Sequence, residues 1–394
     1  MMCAVQAAWL GHEVIVLEHE KQPCRKLNIT GKGRCNVTNN CDVQTVMANI
    51  PRNSKFLFSA LSRFTPADTM AFFESLGIEL KTERGNRVFP VSDKAQDISG
   101  ALINAARDAG VRIIHDDARS LMTENGCVKG VYGKNNEYLA ERVVVACGGL
   151  SYPKTGSTGA GYSFARQAGH NVTECTGSLV PVELAGGECA QAMGLSLKNC
   201  GLTVNNEENG RIIFADRGEM LFTHFGMSGP LVLSASAHLE DIVPGKYTFV
   251  IDFKPALDEK KLDERILRDF SEIPNRDFDN SLGRLLPASI IPVIVKRSGI
   301  SPAKKVNQIT REERAALVHS IKALTFDVKG LRPVEEAIIT RGGVDVTEIS
   351  PKTMESKLCK GLHFIGEVLD ADAYTGGFNL QIAWATAYAA AAAF

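Results

Sequence analysis

The sequence predicts an α/β protein in which a doubly wound domain is interrupted by a long insertion. Strands and helices alternate from residue 1 to about residue 175, which is typical of a parallel sheet covered by helices. Short strands and turns follow to about residue 255, a charged helical stretch runs to about residue 325, and glycine-rich strand texture returns near residue 338. We therefore predict one domain of residues 1–180 and 338–394, a β-rich insert of 181–255 and 326–337, and a helical insert of 256–325.

Hydrophobic spacing predicts the individual elements. Met2, Val5 and Trp9 lie on one stripe, and Gly11 follows them, so residues 1–10 predict a helix. Residues 13–18 predict a short buried strand that ends on an acid. The same reasoning predicts helices at 66–77 and 96–109 and strands at 111–115 and 142–147, with an antiparallel appendage between the last two strands.

Composition excludes several classes of protein. The 394 residues carry a net charge of −1, so no overall field would attract nucleic acid or an anionic membrane, and neither partner is expected. The ten cysteines form no C-x-x-C pair, which argues against a zinc site and a redox dithiol, and no metal site is predicted. Without a secretory signal or a long apolar run, we expect a cytoplasmic protein with reduced thiols.

Glu18 is the first candidate binding residue. In a dinucleotide-binding strand–helix–strand unit, an acid at the end of the second strand binds ribose hydroxyls, roughly 20 residues after a glycine-rich turn. The first strand and that turn would precede Met1, so we expect a start-site error, and we expect that restoring them would raise cofactor content. Many strands end in glutamate, and a purely structural Glu18 remains the alternative.

Residues 25–39 offer groups that bind phosphate. They combine glycines, threonines, asparagines and four cations, which suits a pyrophosphate and makes both a helix and a strand unfavourable. The alternative is a solvated basic loop.

Two later strands run into glycines. Residues 143–147 lead to Gly148 and Gly149, and a second glycine cluster then opens a helix with a possible anion nest at its start. These glycines could also be plain turns. The strand at 362–365 delivers Gly366, Glu367 and Asp370, where an acid suits a polyol hydroxyl, and Gly376 and Gly377 then begin a helix whose free N–H groups suit a polarised carbonyl.

Taken in order, six blocks resemble the HI0933-like flavoproteins, a branch of the FAD superfamily with two dinucleotide-binding domains. The blocks span residues 25–387 and read RKLNITGKGRCNVTN, ACGGLSYPKTGSTGAGY, GEMLFTHFGMSGP, ITRGGV, TMESK and FIGEVLDADAYTGGFNLQIAWATA. The resemblance implies an FAD-binding Rossmann-like domain, interrupted by an insert with a β-barrel-like part and a helical part. This chain departs from the family pattern at Ala160, Ala373 and Ala387, and the family's GGGxAG turn would lie before Met1.

The resemblance also implies binding residues. Glu18 would bind the adenosine ribose, and the backbone of Ala118 would contact adenine. The pyrophosphate and flavin would be lined by Lys26, Thr30, Gly31, Arg34, Cys35 and Asn36, with Arg25, Gly148 and Gly149 as neighbouring candidates. Gly366, Glu367 and Asp370 would hold the ribityl–phosphate region, and the isoalloxazine edge would lie at Gly376, Gly377, Phe378 and Asn379.

No catalytic residue can be assigned from these patterns. His224 is a candidate acid or base and Arg341 a candidate anion clamp, although we favour a structural role for each. For Cys35 we favour packing or a backbone contact. GMSGP lacks the final glycine of a nucleophile elbow, so Ser228 and Pro230 predict a helix cap and first turn.

Two functional classes follow. The first is a flavoenzyme that passes a hydride between NADH or NADPH, FAD and a small organic substrate, by C=C reduction or by amine or alcohol oxidation. The second is a flavoprotein that acts on or with tRNA, against which the neutral net charge argues. A truncated product with impaired FAD binding is a third alternative.

Overall fold

The computed structural model describes all residues from Met1 to Phe394. The chain forms two compact units. The first unit comprises Met1–Ser178 and Val334–Phe394, and the second comprises Leu179–Pro333. Each has a hydrophobic core of its own. No helix has both the length and the apolar character needed to cross a bilayer.

The first part of the first unit alternates helices and short strands. In chain order the elements are α1 (Met2–Trp9), β1 (Ile15–Glu18), α2 (Arg25–Gly33), β2 (Thr38–Asn39), α3 (Val43–Ala48), α4 (Ser54–Arg63), α5 (Pro66–Ser75), β3 (Leu80–Glu83), β4 (Arg87–Pro90), α6 (Ala95–Asp108), β5 (Arg112–His115), β6 (Ala118–Glu124), β7 (Cys127–Gly133), β8 (Glu137–Leu139), β9 (Val143–Val145), α7 (Ala160–Gln167) and β10 (Thr176–Ser178). Each predicted helix and strand of this part is present within a few residues of its expected bounds.

Local sequence accounts for where these elements begin. The side chain of Thr65 accepts a hydrogen bond from the N–H of Asp68, and the Asp68 carboxylate accepts the N–H of Thr65, so α5 begins with a capping box around Pro66. The predicted antiparallel appendage is the three-stranded sheet β6-β7-β8. A second antiparallel sheet has the order β2-β4-β3.

Residues 25–33 differ from the expected loop. They form the helix α2, which is interrupted where Thr30 is extended and Gly31 and Lys32 have φ values of 57° and 61°. The first turn of the segment is therefore helical, and the glycine that was expected to prevent a helix instead marks its break, since left-handed backbone is open to glycine.

The second unit combines a β-barrel with helices. Its elements are β11 (Val182–Leu184), α8 (Glu188–Gln191), β12 (Ser196–Asn206), β13 (Arg211–Phe222), β14 (Gly226–Ser228), α9 (Pro230–Ser236), β15 (Tyr247–Asp252), α10 (Glu259–Ser271), α11 (Ile291–Ser298), α12 (Arg311–Lys322) and β16 (Leu324–Leu331). The barrel closes in the order β11-β14-β13-β12-β15-β16, which confirms the expected barrel-like part. Leu262 and Leu317 of the helices share one hydrophobic cluster with Phe249 of the barrel, so the stretch predicted as a separate helical insert belongs to the same unit.

The expected cap of α9 was wrong in one residue. Ser228 ends β14, and Gly229 is the N-cap, with Pro230 in the first turn as expected. Gly229 has a φ of 93°, and a Cβ there would lie 2.9 Å from the Cα of Met220. The position therefore needs glycine for both conformation and space.

The chain returns to the first unit with β17 (Ile339–Arg341), β18 (Leu362–Phe364) and α13 (Phe378–Ala391). β18 pairs in parallel with β9, β1 pairs in parallel with β5, and β10 pairs with β17 in antiparallel fashion. The expected parallel sheet is thus present as two separate two-stranded sheets, β1-β5 and β9-β18. No strand hydrogen-bonds to both of them.

Candidate functional site

The predicted binding segments follow the carboxyl ends of the parallel strands. Val145 of β9 lies opposite Phe364 of β18, so Gly148 and Glu367 leave the sheet at the same edge. Ligands bind at this edge in open α/β sheets. The ammonium of Lys26 in α2 lies 2.5 Å from a carboxylate oxygen of Glu367, which brings the segment after β1 to the same place.

Glu367 and Lys26 share Ser151 as a partner. The Lys26 ammonium donates to Ser151 Oγ over 2.7 Å, and that hydroxyl donates to the second oxygen of Glu367 over 2.9 Å. Sequence reasoning did not identify Ser151, whose only signal was a small hydroxyl two residues after a glycine pair. Protein groups bind both oxygens of Glu367, and its expected role of holding a cofactor hydroxyl stays a prediction.

Five glycines shape this edge. Gly148, Gly376 and Gly377 have φ values of 72°, 128° and 97°, which side chains with a Cβ rarely adopt. A Cβ on Gly377 would lie 2.5 Å from the carbonyl of Thr38, and one on Gly149 would lie 2.2 Å from Thr340 Oγ1. Gly366 also has a positive φ, 69°, and its N–H donates to Thr386 Oγ1 over 3.0 Å. At Gly149 and Gly377 the backbone lies so close to neighbouring chain that no side chain fits, and at Gly148 and Gly366 the positive φ is what favours glycine.

Glu18 ends β1, and Ala118 begins β6 three residues after the end of β5, the strand that pairs with β1. Glu18 is opposite His115, so Ala118, three residues further along the chain, begins β6 just past the same edge. The half-buried Glu18 carboxylate accepts the N–H of Glu20 over 2.9 Å. That bond holds the turn after β1 and leaves carboxylate lone pairs for a ribose hydroxyl.

The two arginines of the basic segment face carboxylates. Arg25 forms an ion pair with Glu20. Arg34 donates to Asp93 over 2.8 Å, pairs with Glu83, and its guanidinium lies 4.1 Å from the centre of the Phe89 ring. These carboxylates raise the pKa of Arg34. The structure therefore engages most of the Arg34 N–H groups within the protein, away from the phosphate role implied by resemblance.

Two thiols near this edge, those of Cys35 and Cys147, lie in surroundings that favour the neutral form. Cys35 is fully buried, and burial raises its pKa to about 12. Burial, together with the charge of Glu18, raises the pKa of Cys147 to about 11. A thiolate is thus disfavoured at both positions, which agrees with a packing role for Cys35.

Two buried amide oxygens provide a test of whether FAD fits. The Oδ1 atoms of Asn28 and Asn36 have no hydrogen-bond partner, and they flank the break in α2. A buried acceptor without a donor is costly. FAD offers such donors in its ribityl hydroxyls and the flavin N3–H, whereas a pyrophosphate at neutral pH offers none. The segment therefore fits FAD, and Asn28 is a candidate that sequence reasoning missed. Thr30, in contrast, donates its hydroxyl to the carbonyl of Leu27 over 2.7 Å.

Hydrogen bonds from two asparagine side chains hold the loop that precedes α13. Asn39 donates to the carbonyl of Gly376 over 3.0 Å, and Phe378 is buried. The Asn379 side chain both accepts from and donates to the backbone of Ala373, over 2.8 and 2.7 Å. Asn379 therefore fixes the preceding loop, and the N–H groups of the first turn are what this helix can offer to an isoalloxazine edge.

A second buried acid follows Asp370. Burial raises the pKa of Asp370. Asp372 is almost fully buried, pairs with Arg52, and accepts the Ser178 hydroxyl over 2.6 Å. Sequence reasoning did not single out Arg52 or Ser178, because residues that meet only in three dimensions have no spacing signal.

The weak catalytic candidates lie in different units. His224 is exposed between β13 and β14 of the second unit, with its ring 5.0 Å from that of Phe225. Arg341 ends β17 in the first unit, opposite Thr176. Each of these placements leaves the catalytic role of the residue a prediction. No group of three or more His, Cys, Asp or Glu side chains is placed to hold a metal ion.

One set of contacts resembles the serine–histidine–acid triad of hydrolases. His170 contacts Ser356 Oγ over 2.6 Å and Glu348 over 2.9 Å. Ser356 is buried, however, and its oxygen accepts the N–H groups of Leu358 and Cys359. A nucleophile must reach a substrate carbonyl, so these contacts hold loops together and do not support hydrolysis.

The chain as a whole is similar to several known proteins. The family model described as HI0933-like protein Rossmann domain matches residues 1–393. Ribosomal RNA dihydrouridine synthase of Escherichia coli is 30% identical and is aligned over 99% of this chain and 94% of its own length. The 3-dehydro-bile acid delta(4,6)-reductase of Clostridium scindens is also 30% identical, over 96% and 91%. A quinol–fumarate reductase structure with menaquinol shares the fold, with a TM-score of 0.50, 14% identity, and coverage of 100% of this chain and 68% of that one.

Proposed function

This chain belongs to the HI0933-like family of FAD-binding flavoproteins, and we propose that it reduces a carbon–carbon double bond conjugated to a carbonyl group. The family is one of FAD-dependent oxidoreductases. NADH or NADPH is our proposed electron donor, and a small organic molecule is our proposed substrate.

One observation carries this proposal. Three relatives that align over at least 96% of the chain are named for the same kind of bond. Dihydrouridine is uridine with its C5=C6 bond saturated, and that bond is conjugated to a ring carbonyl. A 3-dehydro bile acid with double bonds at positions 4 and 6 likewise has those bonds conjugated with its 3-ketone. Such bonds accept hydride because the carbonyl stabilises the charge that develops.

The residues of the first unit can support this chemistry by binding and orientation. When bound, FAD supplies the hydride transfer. Glu18 and the backbone of Ala118 suit the adenosine end, and Asn28 and Asn36 suit donors of the ribityl chain and flavin ring. The N–H groups at the start of α13 offer positive potential to a flavin carbonyl. The ion pair between Lys26 and Glu367 holds one positive and one negative charge beside the start of α2 and the end of β18.

Ribosomal RNA is a second candidate substrate. Two relatives, from Escherichia coli and Haemophilus influenzae, are named ribosomal RNA dihydrouridine synthase. The net charge of −1 argues against it, because RNA binding draws on contacts between cations and phosphates. Amine oxidation has less support, since the L-aspartate oxidase relative aligns over 46% of this chain.

Anaerobic reoxidation of the flavin tests the proposal. The FAD-loaded protein is reduced with NADH or NADPH and mixed with a steroid 4-en-3-one, an unmodified ribosomal RNA transcript, or buffer, while flavin absorbance is followed. We expect the enone to restore the oxidised spectrum faster than buffer does. Reoxidation by the transcript alone would support the RNA candidate. Failure of both acceptors, or bleaching by amines and alcohols in the absence of NAD(P)H, would contradict the proposal.

A further inference from the structure

Two hydroxyl groups tie together the segments that surround Glu367. Thr340 Oγ1 accepts the N–H groups of Leu150 and Ser151, over 2.7 and 3.2 Å. The N–H of Thr340 donates to Glu367 over 3.0 Å, to the same oxygen that accepts the Ser151 hydroxyl. Four stretches far apart in sequence, at residues 26, 150–151, 340 and 367, therefore meet in one network.

The network is tight and largely closed to solvent. Ser151 and Thr340 are 0% and 2% exposed, and the Glu367 side chain is 13% exposed. A Cβ on Gly149 would lie 2.2 Å from Thr340 Oγ1 and 2.9 Å from Glu367 Oε1. Loss of either hydroxyl would leave buried donors or acceptors without partners. Because the packing is close, there is no room for a water molecule to take the place of the lost hydroxyl.

The hydrogens in the network have a defined direction. An ammonium can only donate, so Lys26 donates to Ser151, and the single Ser151 hydrogen is then directed at the carboxylate. Ser151 thus bridges the two members of the ion pair and fixes their separation. One N–H of the Lys26 ammonium remains for another acceptor.

The ion pair also sets the charge at this edge. Lys26 and Glu367 cancel one another at long range while they stay paired at 2.5 Å. Removal of one partner leaves the other charge uncompensated in a site that is only partly open to water. Reduction adds electrons to a flavin, so an uncompensated cation nearby favours reduced FAD and an uncompensated anion disfavours it.

We propose that Ser151 and Thr340 are positioning residues that hold the Lys26–Glu367 ion pair against the glycine loop, and that this pair tunes the reduction potential of bound FAD. Glu367 contributes to this tuning through its pairing with Lys26 and the hydrogen bond that it accepts from Ser151. This inference rests on the FAD binding that the proposed function assumes.

Opposite charge changes test the tuning. The reduction potential of bound FAD is measured by equilibration with redox dyes for the wild type, Glu367→Gln and Lys26→Met. We expect Glu367→Gln to raise the potential and Lys26→Met to lower it, each by roughly tenfold in the relative affinity for reduced and oxidised FAD, or about 30 mV for two electrons. Shifts of the same sign, or no shift in either variant, would overturn the tuning.

Hydroxyl variants test the positioning. Thr340→Val and Ser151→Ala should weaken FAD binding about tenfold by flavin fluorescence titration, and Thr340→Ser should stay within about threefold of the wild type because it keeps the acceptor. Ser356→Ala is the matched control, since it removes another buried hydroxyl that accepts two N–H groups, at the other end of β18. Equal affinities for Thr340→Val and Thr340→Ser would overturn the positioning role.

Thermal unfolding of each flavin-free variant separates binding from folding. If Glu367→Gln does not fold, the Thr340 and Ser151 variants decide the inference. A wild type that binds no FAD would contradict the proposed function and this inference together. A wild type that binds FAD, with unmoved potentials and equal Thr340 affinities, would contradict this inference alone.

Discussion

The two ends of β18 carry buried polar networks of similar composition but different completeness. Before the strand, His170 has a partner at each ring nitrogen, and Ser356 and Glu348 supply them. After the strand, Glu367 is surrounded by protein donors, yet glycines with positive φ adjoin it and nearby amide oxygens lack donors. A network that satisfies itself stabilises the fold. One that adjoins unsatisfied acceptors and bare backbone is the end where we expect a ligand to bind.

The largest expected effect comes from a substitution that disrupts the network around Glu367 by placing an extra atom in it. Gly149→Ala places a Cβ 2.2 Å from Thr340 Oγ1, so the hydroxyl must move and release the N–H groups of Leu150 and Ser151. We expect FAD affinity to fall by roughly a hundredfold or more, measured by fluorescence titration.

A second alanine provides the control for Gly149→Ala. Gly100 lies inside α6 with nothing within 4 Å of its Cβ position, so Gly100→Ala should stabilise the protein by about 0.5–1 kcal/mol and leave FAD affinity unchanged. Similar losses of affinity in both variants would show that the glycine edge has no special role.

Ser356→Ala tests the closed end. Its hydroxyl contacts His170 and accepts two N–H groups, and their loss leaves buried groups unpaired. We expect the free energy of unfolding to fall by about 1–3 kcal/mol in urea titrations, with FAD affinity at the wild-type level. A loss of affinity as large as that of Thr340→Val would remove the contrast between the two ends.

The pH dependence of stability should differ in sign between two acids. Burial raises the pKa of Asp370 in the folded chain, so the folded form holds its proton longer, and stability falls as pH rises from the usual aspartate range through the raised value. Bonds from Thr347 lower the pKa of Asp345, so its contribution is present above the usual range and is lost as pH falls through the lowered value.

Asparagine variants measure these two contributions. Relative to the wild type, urea unfolding of Asp370→Asn should lack the fall in stability with rising pH, and unfolding of Asp345→Asn should lack the loss at acidic pH. Parallel pH profiles for the wild type and Asp370→Asn would mean that this carboxyl is not held in a desolvating site.

The smallest expected effect concerns a cation of the basic segment. Arg34 is engaged by Glu83 and Asp93, whereas Lys26 lies beside Ser151 and Glu367. Arg34→Gln should therefore change FAD affinity by less than about threefold, since exposed ion pairs contribute little. A larger loss than that of Lys26→Met would return Arg34 to the phosphate role that the resemblance implies.

The sequence by itself determined the class of fold and the order of its parts. Local patterns suffice for this, because helix caps such as Thr65 and Pro66, apolar strands such as 143–145, and glycines after strands act over a few residues. The pattern also placed the candidate site at the strand ends, where Gly148, Glu367 and the start of α2 do meet. It missed the left-handed Gly229 cap, because space near Met220 decides that position.

Only the tertiary structure decided which atoms meet. Ser151, Thr340, Arg52 and Ser178 carry no local signal, because their partners lie at least 27 and mostly more than a hundred residues away along the chain. The same holds for Arg34, whose charge suggested phosphate until folding brought Glu83 and Asp93 to it. Hydrogen bonds and ion pairs form over about 3 Å, so their partners are set by packing between distant segments and cannot be read from spacing along the chain.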